Sequence, residues 1–251
     1  MSEHIRVAVA EGVCTVTISR PDKKNSLTRA MYAALADAIE TAAGGEEARV
    51  LLLAGEGDVF CAGNDIGEFR DRPPRPESGP PPASRRFYTG LAEFPKPVVA
   101  AVPGLAIGIG CTMLMHADIV YAAPEARFRL PFVDLGVVPE LGSSLLLPRM
   151  AGRHRAAELM LLGEFFGAEA AREIGLVNRV MDRAELLPNA TATARALARK
   201  PQEALRQTKR LLRQDMPALM LRMQEELEVF DHLLASPETQ AIMAGVLKPK
   251  G

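Results

Sequence analysis

Two glycine-containing turns follow predicted buried strands and could present backbone N–H groups to a ligand. The first is residues 60–66, Phe-Cys-Ala-Gly-Asn-Asp-Ile, and the second is residues 103–112, with glycines at Gly104, Gly108 and Gly110. Small residues allow close approach of a ligand, and N–H groups at the start of a helix favour negative charge. The second turn lacks the third glycine of a dinucleotide fingerprint and the Gly-Lys-Ser/Thr of a phosphate-binding loop. Two such turns that aim one N–H each at one oxygen would form an oxyanion hole; close packing of helix on sheet is the alternative.

Four motifs, in register along the chain, resemble those of the crotonase (enoyl-CoA hydratase/isomerase) superfamily. They are Arg20-Pro21 through Asn25, residues 60–66, Gly104 through Gly110, and Asp118. The resemblance covers nearly the whole chain and implies an α/β fold, a crotonase-like spiral of ββα units with a C-terminal helical region. It also implies a coenzyme A thioester as substrate, no separate cofactor, and a homotrimer or a dimer of trimers.

By position, the resemblance assigns the oxyanion hole to the backbone N–H groups of Asn64 and Ile109. The hydratases of the family carry two glutamates, and the corresponding positions here are Thr112 and Phe132. Hydration needs one group to activate water and another to deliver a proton. The sequence therefore does not favour simple hydratase activity.

One carboxylate, Glu140, occupies a position that resembles the catalytic glutamate of peroxisomal-type Δ3,Δ2-enoyl-CoA isomerases. Pro139-Glu140 matches the Pro-Glu-Gly step before Ser-Ser of that subgroup, with Leu141 in place of the glycine. Residues 61–65 also resemble its Ser-Ser-Gly-Asn-Asp run. In isolation, Glu140 is better explained as a first-turn helix carboxylate, and Asp134 is the rival base. With the flanking match, the resemblance implies an isomerase whose single base is Glu140.

The resemblance also places the coenzyme A thioester against two loops. The residues concerned are Lys24, Ser26, Leu27, Ala62, Gly63, Asp65, Ile66 and Gly108. A lysine near phosphates makes charge-assisted contacts, whereas a solvated loop lysine is the alternative. The histidines His116, His154 and His232 are isolated, without metal-ligand spacing, so no metal site is expected.

Two other functions remain open on the sequence. One is a different reaction of an acyl-CoA thioester on the same scaffold, such as hydration or dehalogenation. The other is a non-catalytic acyl-CoA-binding or protein-interaction module, because a fold alone does not give activity. A role for Glu140 at the thioester separates an isomerase from a binding module.

The elements that must position these turns alternate between strands and helices, which predicts α/β architecture. A helix from about Thr28 has an apolar face and ends at Gly44-Gly45. The predicted strands are Ile5–Ala10, Val13–Ser19, Val50–Ala54, Val98–Val102 and Ile119–Ala122, and a helix is expected over Gly110–Ala117. Six prolines within residues 72–83 predict an exposed loop, with a flap over a cleft as the sharper hypothesis.

Beyond about residue 168, leucine, alanine and arginine dominate and helices are expected. These are Arg183–Arg199, Gln202–Arg213, Ala218–Leu234 and Glu238–Leu247. We therefore predict a crotonase-like core over residues 1–195 and a helical oligomerisation region over residues 196–251. Met220, Met223 and Leu227 form an apolar stripe, which is expected at a subunit interface or, alternatively, on the protein's own core.

Composition excludes several other classes of protein. The chain has 251 residues, with 30 Lys plus Arg against 31 Asp plus Glu, so a generic nucleic-acid-binding surface is not expected. The longest apolar stretch, residues 98–115, is broken by Pro103 and Gly104, which argues against a membrane helix. No signal peptide is apparent, and the three cysteines form no CxxC pair. These features favour a reducing compartment, and we expect a cytoplasmic protein.

Overall fold

The computed structural model describes residues 2–70, 81–213 and 215–246. Residues 72–80 of the expected loop and flap, and Leu247 of the last expected helix, lie outside the described residues. Ala83, which sequence analysis assigned to that loop, begins a helix.

Strands and helices alternate over the first two thirds of the chain, and helices follow. The strands are β1 (Ile5–Ala10), β2 (Val13–Ile18), β3 (Val50–Gly55), β4 (Val59–Cys61), β5 (Val98–Val102), β6 (Leu105–Ile107), β7 (Ile119–Ala122), β8 (Arg127–Arg129), β9 (Phe166–Gly167) and β10 (Arg179–Val180). The helices are α1 (Arg29–Gly44), α2 (Ile66–Arg70), α3 (Ala83–Ala92), α4 (Ile109–Thr112), α5 (Ser143–Ala151), α6 (Arg153–Leu162), α7 (Ala168–Glu173), α8 (Arg183–Ala198), α9 (Gln202–Leu212), α10 (Met216–Leu234) and α11 (Pro237–Val246). Short 3-10 helices span Pro21–Lys23, Met113–His116 and Val133–Leu135.

The larger sheet has the strand order β1-β2-β3-β5-β7-β10. β1 and β2 form an antiparallel hairpin, joined by Glu11 and Gly12 with φ of 51° and 78°. Positive φ at both turn residues gives the twist that a two-residue hairpin needs. The remaining neighbours in this sheet are parallel.

The smaller sheet has the order β4-β6-β8-β9, and β4, β6 and β8 are parallel to one another. In the pairs β3–β4, β5–β6 and β7–β8, the first strand joins the larger sheet and the second joins the smaller one. The predicted α/β repetition is thereby confirmed. Sequence analysis did not identify β4, β6 and β8, because three residues are too few to show a period.

Two apolar layers enclose the larger sheet. Leu51 and Leu53 belong to the main core, which also contains the apolar face of α1. Val50 and Leu52, which alternate with them, pack in a second layer with α8. Burial on both faces explains why β3 is a continuous apolar run.

The C-terminal helices pack back on the α/β core. Lys209 Nζ of α9 donates to Lys96 O at 2.6 Å and pairs with Asp118 at 2.7 Å. The stripe on α10 also faces inward: Met223 is buried, and Met220 and Leu227 pack against the same core. The stripe therefore packs mainly on its own core, as in the alternative interpretation, with Met220 and Leu227 only partly buried. Among the described residues, no helix is both long and apolar enough to cross a membrane.

Candidate active site

Two turns meet at the carboxyl end of the smaller sheet. β4 and β6 are parallel neighbours that end at Cys61 and Ile107. The residues after each strand therefore emerge at the same edge, where α/β proteins usually bind ligands. The first turn is Ala62–Asn64 and the second is Gly108–Ile109.

The first turn is held by the loop that precedes α1. Leu27 N donates to Gly63 O at 2.8 Å, and Asp65 N donates to Leu27 O at 2.9 Å. Ala62 N donates to the carbonyl of Lys24 at 3.0 Å. Between these bonds, the Asn64 N–H has no acceptor among the described residues.

The second turn depends on the backbone of Gly108. Its φ of 55° and ψ of −120° are readily adopted only by glycine. Its carbonyl accepts from Cys111 N and Thr112 N, both at 2.9 Å, and thereby starts α4. Ile109 is the first residue of that helix, and within the described chain its N–H also has no acceptor. Each turn thus supplies one free donor.

Both donor residues line one cavity of about 320 Å³. Its walls are mostly apolar, and the C-terminal helices contribute Phe230 and Met243 to them. An ion pair of 2.8 Å between Arg129 and Asp134 supplies charged groups to the lining. Such a cavity accepts an apolar group while the two N–H donors fix a polar one.

Glu140 lies in the segment before α5 and is buried, with 3% of its surface exposed. Thr112 Oγ1 donates to its Oε1 at 2.9 Å, and the Tyr88 phenol is a second hydrogen-bonding partner. The pKa of Glu140 is raised to about 7, mainly by burial. The hydrogen bonds from Tyr88 and Thr112 act to lower this pKa, whereas the negative charge of Glu226 raises it further. A carboxyl group with this pKa can both take and return a proton near neutral pH.

Glu140 does not line the cavity itself but interacts with residues next to both turns. Thr112, its hydrogen-bond donor, lies in the helix that Ile109 begins. The negative charge of Glu140 also contributes to the raised pKa of the Cys61 thiol, although burial is the main cause. Cys61 is the residue before the Ala62–Asn64 turn, so the single carboxyl group adjoins both elements that carry a free donor.

Two tyrosines that sequence analysis did not identify connect Glu140 to the first turn. Tyr32 OH of α1 donates to Asn64 Oδ1 at 2.6 Å. Its oxygen also lies 3.5 Å from that of Tyr88, whose ring meets the Tyr32 ring edge-on at 6.0 Å. A polar chain thus runs from Asn64 through both phenols to Glu140. In the sequence these tyrosines resemble ordinary core residues of amphipathic helices, so no local pattern could identify them.

The residues expected to bind coenzyme A lie on the two loops that the hydrogen bonds join. Asp65 forms an ion pair of 2.8 Å with Arg20, which also donates to Ser26 O at 3.2 Å. Although burial acts in the opposite direction, the Arg20 guanidinium and backbone N–H groups hold the pKa of Asp65 below its usual value. Asp65 therefore braces the loops, while the exposed Lys24 side chain is free to meet an anionic ligand.

Asn25 fixes the shape of the first loop. It is fully buried at a φ of 57°, and its Nδ2 donates to Val59 O at 2.7 Å and Glu56 O at 3.0 Å. Its Oδ1 accepts from Arg20 N at 2.8 Å. These bonds tie the loop to β4. Leu27 is buried as well, so its side chain belongs to the core and only its backbone faces the neighbouring turn.

The remaining sequence candidates have other partners. Asp134, the rival base, is half-exposed and paired with Arg129. Phe132 is buried and lines the cavity. His116 is buried and hydrogen-bonds Leu141 O at 2.8 Å. Within the part of the chain that the structure describes, no group of three or more His, Cys, Asp or Glu side chains could hold a metal ion.

Comparison with known proteins places this geometry in a family. The family model described as enoyl-CoA hydratase/isomerase matches residues 8–247. The 1,2-epoxyphenylacetyl-CoA isomerase of Escherichia coli is 41% identical over 205 residues, which cover 80% of this chain and 78% of that protein. Enoyl-CoA delta isomerase 2 of Rattus norvegicus is 33% identical over 217 residues, 85% of this chain and 55% of that protein.

Comparison with solved structures leads to the same family as comparison of sequences. An enoyl-CoA hydratase/isomerase from Pseudoalteromonas atlantica T6c superposes with a TM-score of 0.92 at 40% identity, covering 97% of this chain and 96% of that one. The expected crotonase fold, with ββα units, two sheets and a C-terminal helical region, is thus confirmed. The named relatives include both isomerases and hydratases. This chain belongs to the enoyl-CoA hydratase/isomerase family, whose members act on acyl-CoA thioesters.

Proposed function

We propose that this protein is a Δ3,Δ2-enoyl-CoA isomerase, which moves the double bond of a 3-enoyl-CoA into conjugation with the thioester. The observation that carries the proposal is one buried carboxyl group, Glu140, beside two turns that each offer a free N–H. A 1,3-proton shift needs one base that can also act as an acid. Hydration needs a second acid–base group, and Thr112 and Phe132 occupy the positions where hydratases have glutamates.

The two free donors, Asn64 N–H and Ile109 N–H, bind the thioester oxygen in this mechanism. Negative charge develops on that oxygen when a proton leaves the adjacent carbon. Preorganised N–H groups stabilise such charge more than water does, and loss of one donor from a comparable site costs roughly 3–4 kcal/mol in the transition state. Since both donors are backbone groups, turn geometry matters more than side-chain identity.

Glu140 moves the proton. Its carboxylate removes a proton from C2 of the 3-enoyl-CoA, and the electron pair of the C–H bond enters the dienolate. The resulting carboxylic acid returns a proton at C4, the C3–C4 double bond becomes C2–C3, and the carboxylate is restored. Atoms balance without water or any redox partner. A pKa of about 7 leaves the base ionised at mildly alkaline pH, yet basic enough for the transfer.

Coenzyme A would bind along the joined loops of Lys24, Ser26 and Leu27 and of Ala62 to Ile66. The exposed Lys24 ammonium supplies a charge partner for phosphate. The small residues Ala62, Gly63 and Gly108 let the thioester approach the N–H groups. The acyl chain then enters the apolar cavity beyond Asn64 and Ile109.

Some of the named relatives are isomerases, in line with this proposal. The two relatives described above are named as isomerases of CoA thioesters, although others are named as hydratases. A non-catalytic acyl-CoA-binding module would not need a carboxyl group with a raised pKa at the thioester.

The assembly is also a proposal. The family resemblance favours a homotrimer or a dimer of trimers, with residues 196–251 as the oligomerisation region. The Met220, Met223 and Leu227 stripe offers little surface to an interface, because Met223 is buried and Met220 and Leu227 are partly buried against the core of their own chain. Leu211 and Leu212 at the end of α9 are exposed and offer apolar surface instead. Light scattering that shows a stable monomer at micromolar concentration would refute this assembly.

The test of function is the absorbance rise from conjugation when 3-hexenoyl-CoA is added to the purified protein. Glu140→Gln should lower kcat by at least about 100-fold, because a positioned acid–base group contributes 10²–10⁴. Glu125→Gln, the same change at an exposed carboxylate, is the matched control. If Asp134→Asn rather than Glu140→Gln abolishes turnover, Asp134 is the base. Formation of ¹⁸O-labelled 3-hydroxyacyl-CoA from 2-enoyl-CoA in ¹⁸O-water would instead reveal hydration, and thioester binding without any turnover would support a binding module.

A further inference from the structure

The residues directly after Glu140 adopt an unusual backbone conformation. Leu141 has a φ of 58° and Gly142 a φ of 69°, so two left-handed residues follow the carboxyl-bearing residue. Glycine tolerates this region, but a leucine side chain does not favour it. Leu141 is also fully buried. Such a conformation persists only when the surrounding structure holds it in place.

Two side chains from distant elements hold this turn. The His116 ring donates from Nε2 to Leu141 O at 2.8 Å, since a carbonyl can only accept. On the other side, Glu226 of α10 accepts two backbone bonds, from Gly142 N at 2.6 Å and from Ser144 N at 2.9 Å. The carboxylate of Glu226 therefore spans the start of α5 and clamps the turn that begins at Glu140.

We propose that Glu226 is a positioning residue for the base: its bidentate carboxylate holds the strained turn at Leu141–Gly142 and so fixes Glu140 relative to the two N–H donors. This inference rests on the proposed function, in which Glu140 is the base. It goes beyond helix capping, because a cap alone would stabilise α5 without affecting proton transfer.

The charge of Glu226 gives the proposal a distinctive signature. Burial raises the pKa of Glu226, and the N–H bonds that both of its oxygens accept oppose this rise by stabilising the ionised carboxylate. A negative charge on Glu226 disfavours a second negative charge on Glu140, and Glu226 accordingly contributes to the raised pKa of Glu140.

Other titratable groups also face this pair of carboxyl groups. Glu140 faces Tyr88 of α3 and Cys61 of β4. His116 adjoins the turn, and because burial lowers its pKa to about 4 it is neutral during the assay. Arg222, one turn before Glu226 on α10, partly offsets the charge of Glu226.

Kinetics across pH tests the proposal with 3-hexenoyl-CoA as substrate. Glu226→Gln should lower kcat about 10- to 100-fold, as expected for a small misplacement of the base, with little change in KM. It should also move the acidic limb of kcat/KM to lower pH, because the repelling charge is gone. Glu226→Asp keeps the charge on a shorter side chain and should leave the limb in place while kcat is partly restored.

Glu228→Gln is the matched control, since its carboxylate is exposed on the same helix and accepts a hydrogen bond from Gln224, so the change leaves Arg222 with its partner. It should behave as wild type. Circular dichroism and thermal unfolding of each variant give the folded fraction, and rates are expressed per folded protein.

Three results separate failure of the inference from failure of the function. Glu226→Gln with wild-type kcat and an unmoved limb overturns the inference, as does a loss explained wholly by unfolded protein. If wild type does not turn over 3-hexenoyl-CoA, or Glu140→Gln is fully active, the proposed function fails. The inference is then decided by ¹³C NMR titration of glutamate carboxyls, with the Glu140 signal assigned from its Gln variant: an unchanged Glu140 pKa in Glu226→Gln overturns it.

Discussion

Replacing Glu140 by glutamine should stabilise the protein at alkaline pH while it removes activity. Burial raises the pKa of this carboxyl group from 4.5 to about 7. Each tenfold change in an acidity constant corresponds to about 1.4 kcal/mol, so ionised Glu140 opposes folding by about 3 kcal/mol. Glutamine keeps the shape and can still accept from Thr112 Oγ1, but it carries no charge at any pH.

The sign of the pH dependence follows from proton binding. Between pH 4.5 and pH 7 the unfolded chain has released the Glu140 proton, whereas the folded protein still holds it. The folded state binds more protons in this window, so its stability falls as pH rises. The stabilisation from Glu140→Gln should therefore be near zero at pH 4.5, grow through pH 7, and reach about 3 kcal/mol at pH 8.

Equilibrium unfolding in urea at pH 5, 6, 7 and 8 measures this difference at one protein concentration. For a chain of this size, about 3 kcal/mol also corresponds to a rise of roughly 6–12 °C in Tm. Glu125→Gln, at an exposed carboxylate, should show no such pH dependence. A Glu140→Gln variant that is less stable than wild type at pH 8, or whose gain does not vary with pH, would refute the reasoning.

Three further substitutions test separate parts of the site. Tyr88→Phe removes a hydrogen bond that lowers the pKa of Glu140, so the acidic limb of kcat/KM should move to higher pH. A limb that does not move would show that this hydrogen bond does not affect the pKa of Glu140. Gly110→Ala places a Cβ 2.3 Å from Cys61 O, so the two turns should move apart. We expect kcat to fall about 100-fold and the free energy of unfolding to fall by about 1–3 kcal/mol. A variant with the kcat and Tm of wild type would contradict this expectation. Thr112→Glu should not create a hydratase, because Phe132 still occupies the position of the second glutamate of the hydratases. Formation of 3-hydroxyacyl-CoA, detected by chromatography, would contradict this expectation.

Sequence reasoning is strongest for the backbone donors. Strand, small residues and helix follow one another around Asn64 and Ile109, so their turns could be located without a structure. Their convergence could not be derived from the pattern alone, since it depends on β4 and β6 being neighbours in a sheet. Each of these strands has three residues, which is too short to show a period. The expectation that the two turns converge therefore came from the resemblance to a family.

The side chains that support the base are harder to predict. Tyr32 and Tyr88 lie on helices far apart in the chain, and each resembles an ordinary buried aromatic residue. Glu226 lies in a charged helix beside Glu225 and Glu228, and nothing in the sequence distinguishes it from its exposed neighbours. Its role depends on a contact between residues more than 80 positions apart, to Gly142 and Ser144.

The C-terminal helices contribute both to the raised pKa of Glu140, of which burial is the main cause, and to the conformation that holds it. Phe230 and Met243 line the apolar cavity, while Glu226 holds the turn that carries the base. Tyr88 and Glu226 act on the pKa of Glu140 in opposite directions, so their removal should move the pH profile in opposite directions. A region that the sequence suggests only for assembly is therefore, on this reasoning, part of the catalytic apparatus of its own chain. Substitutions in α10 should consequently change kcat and its pH dependence even where the oligomeric state is unaltered.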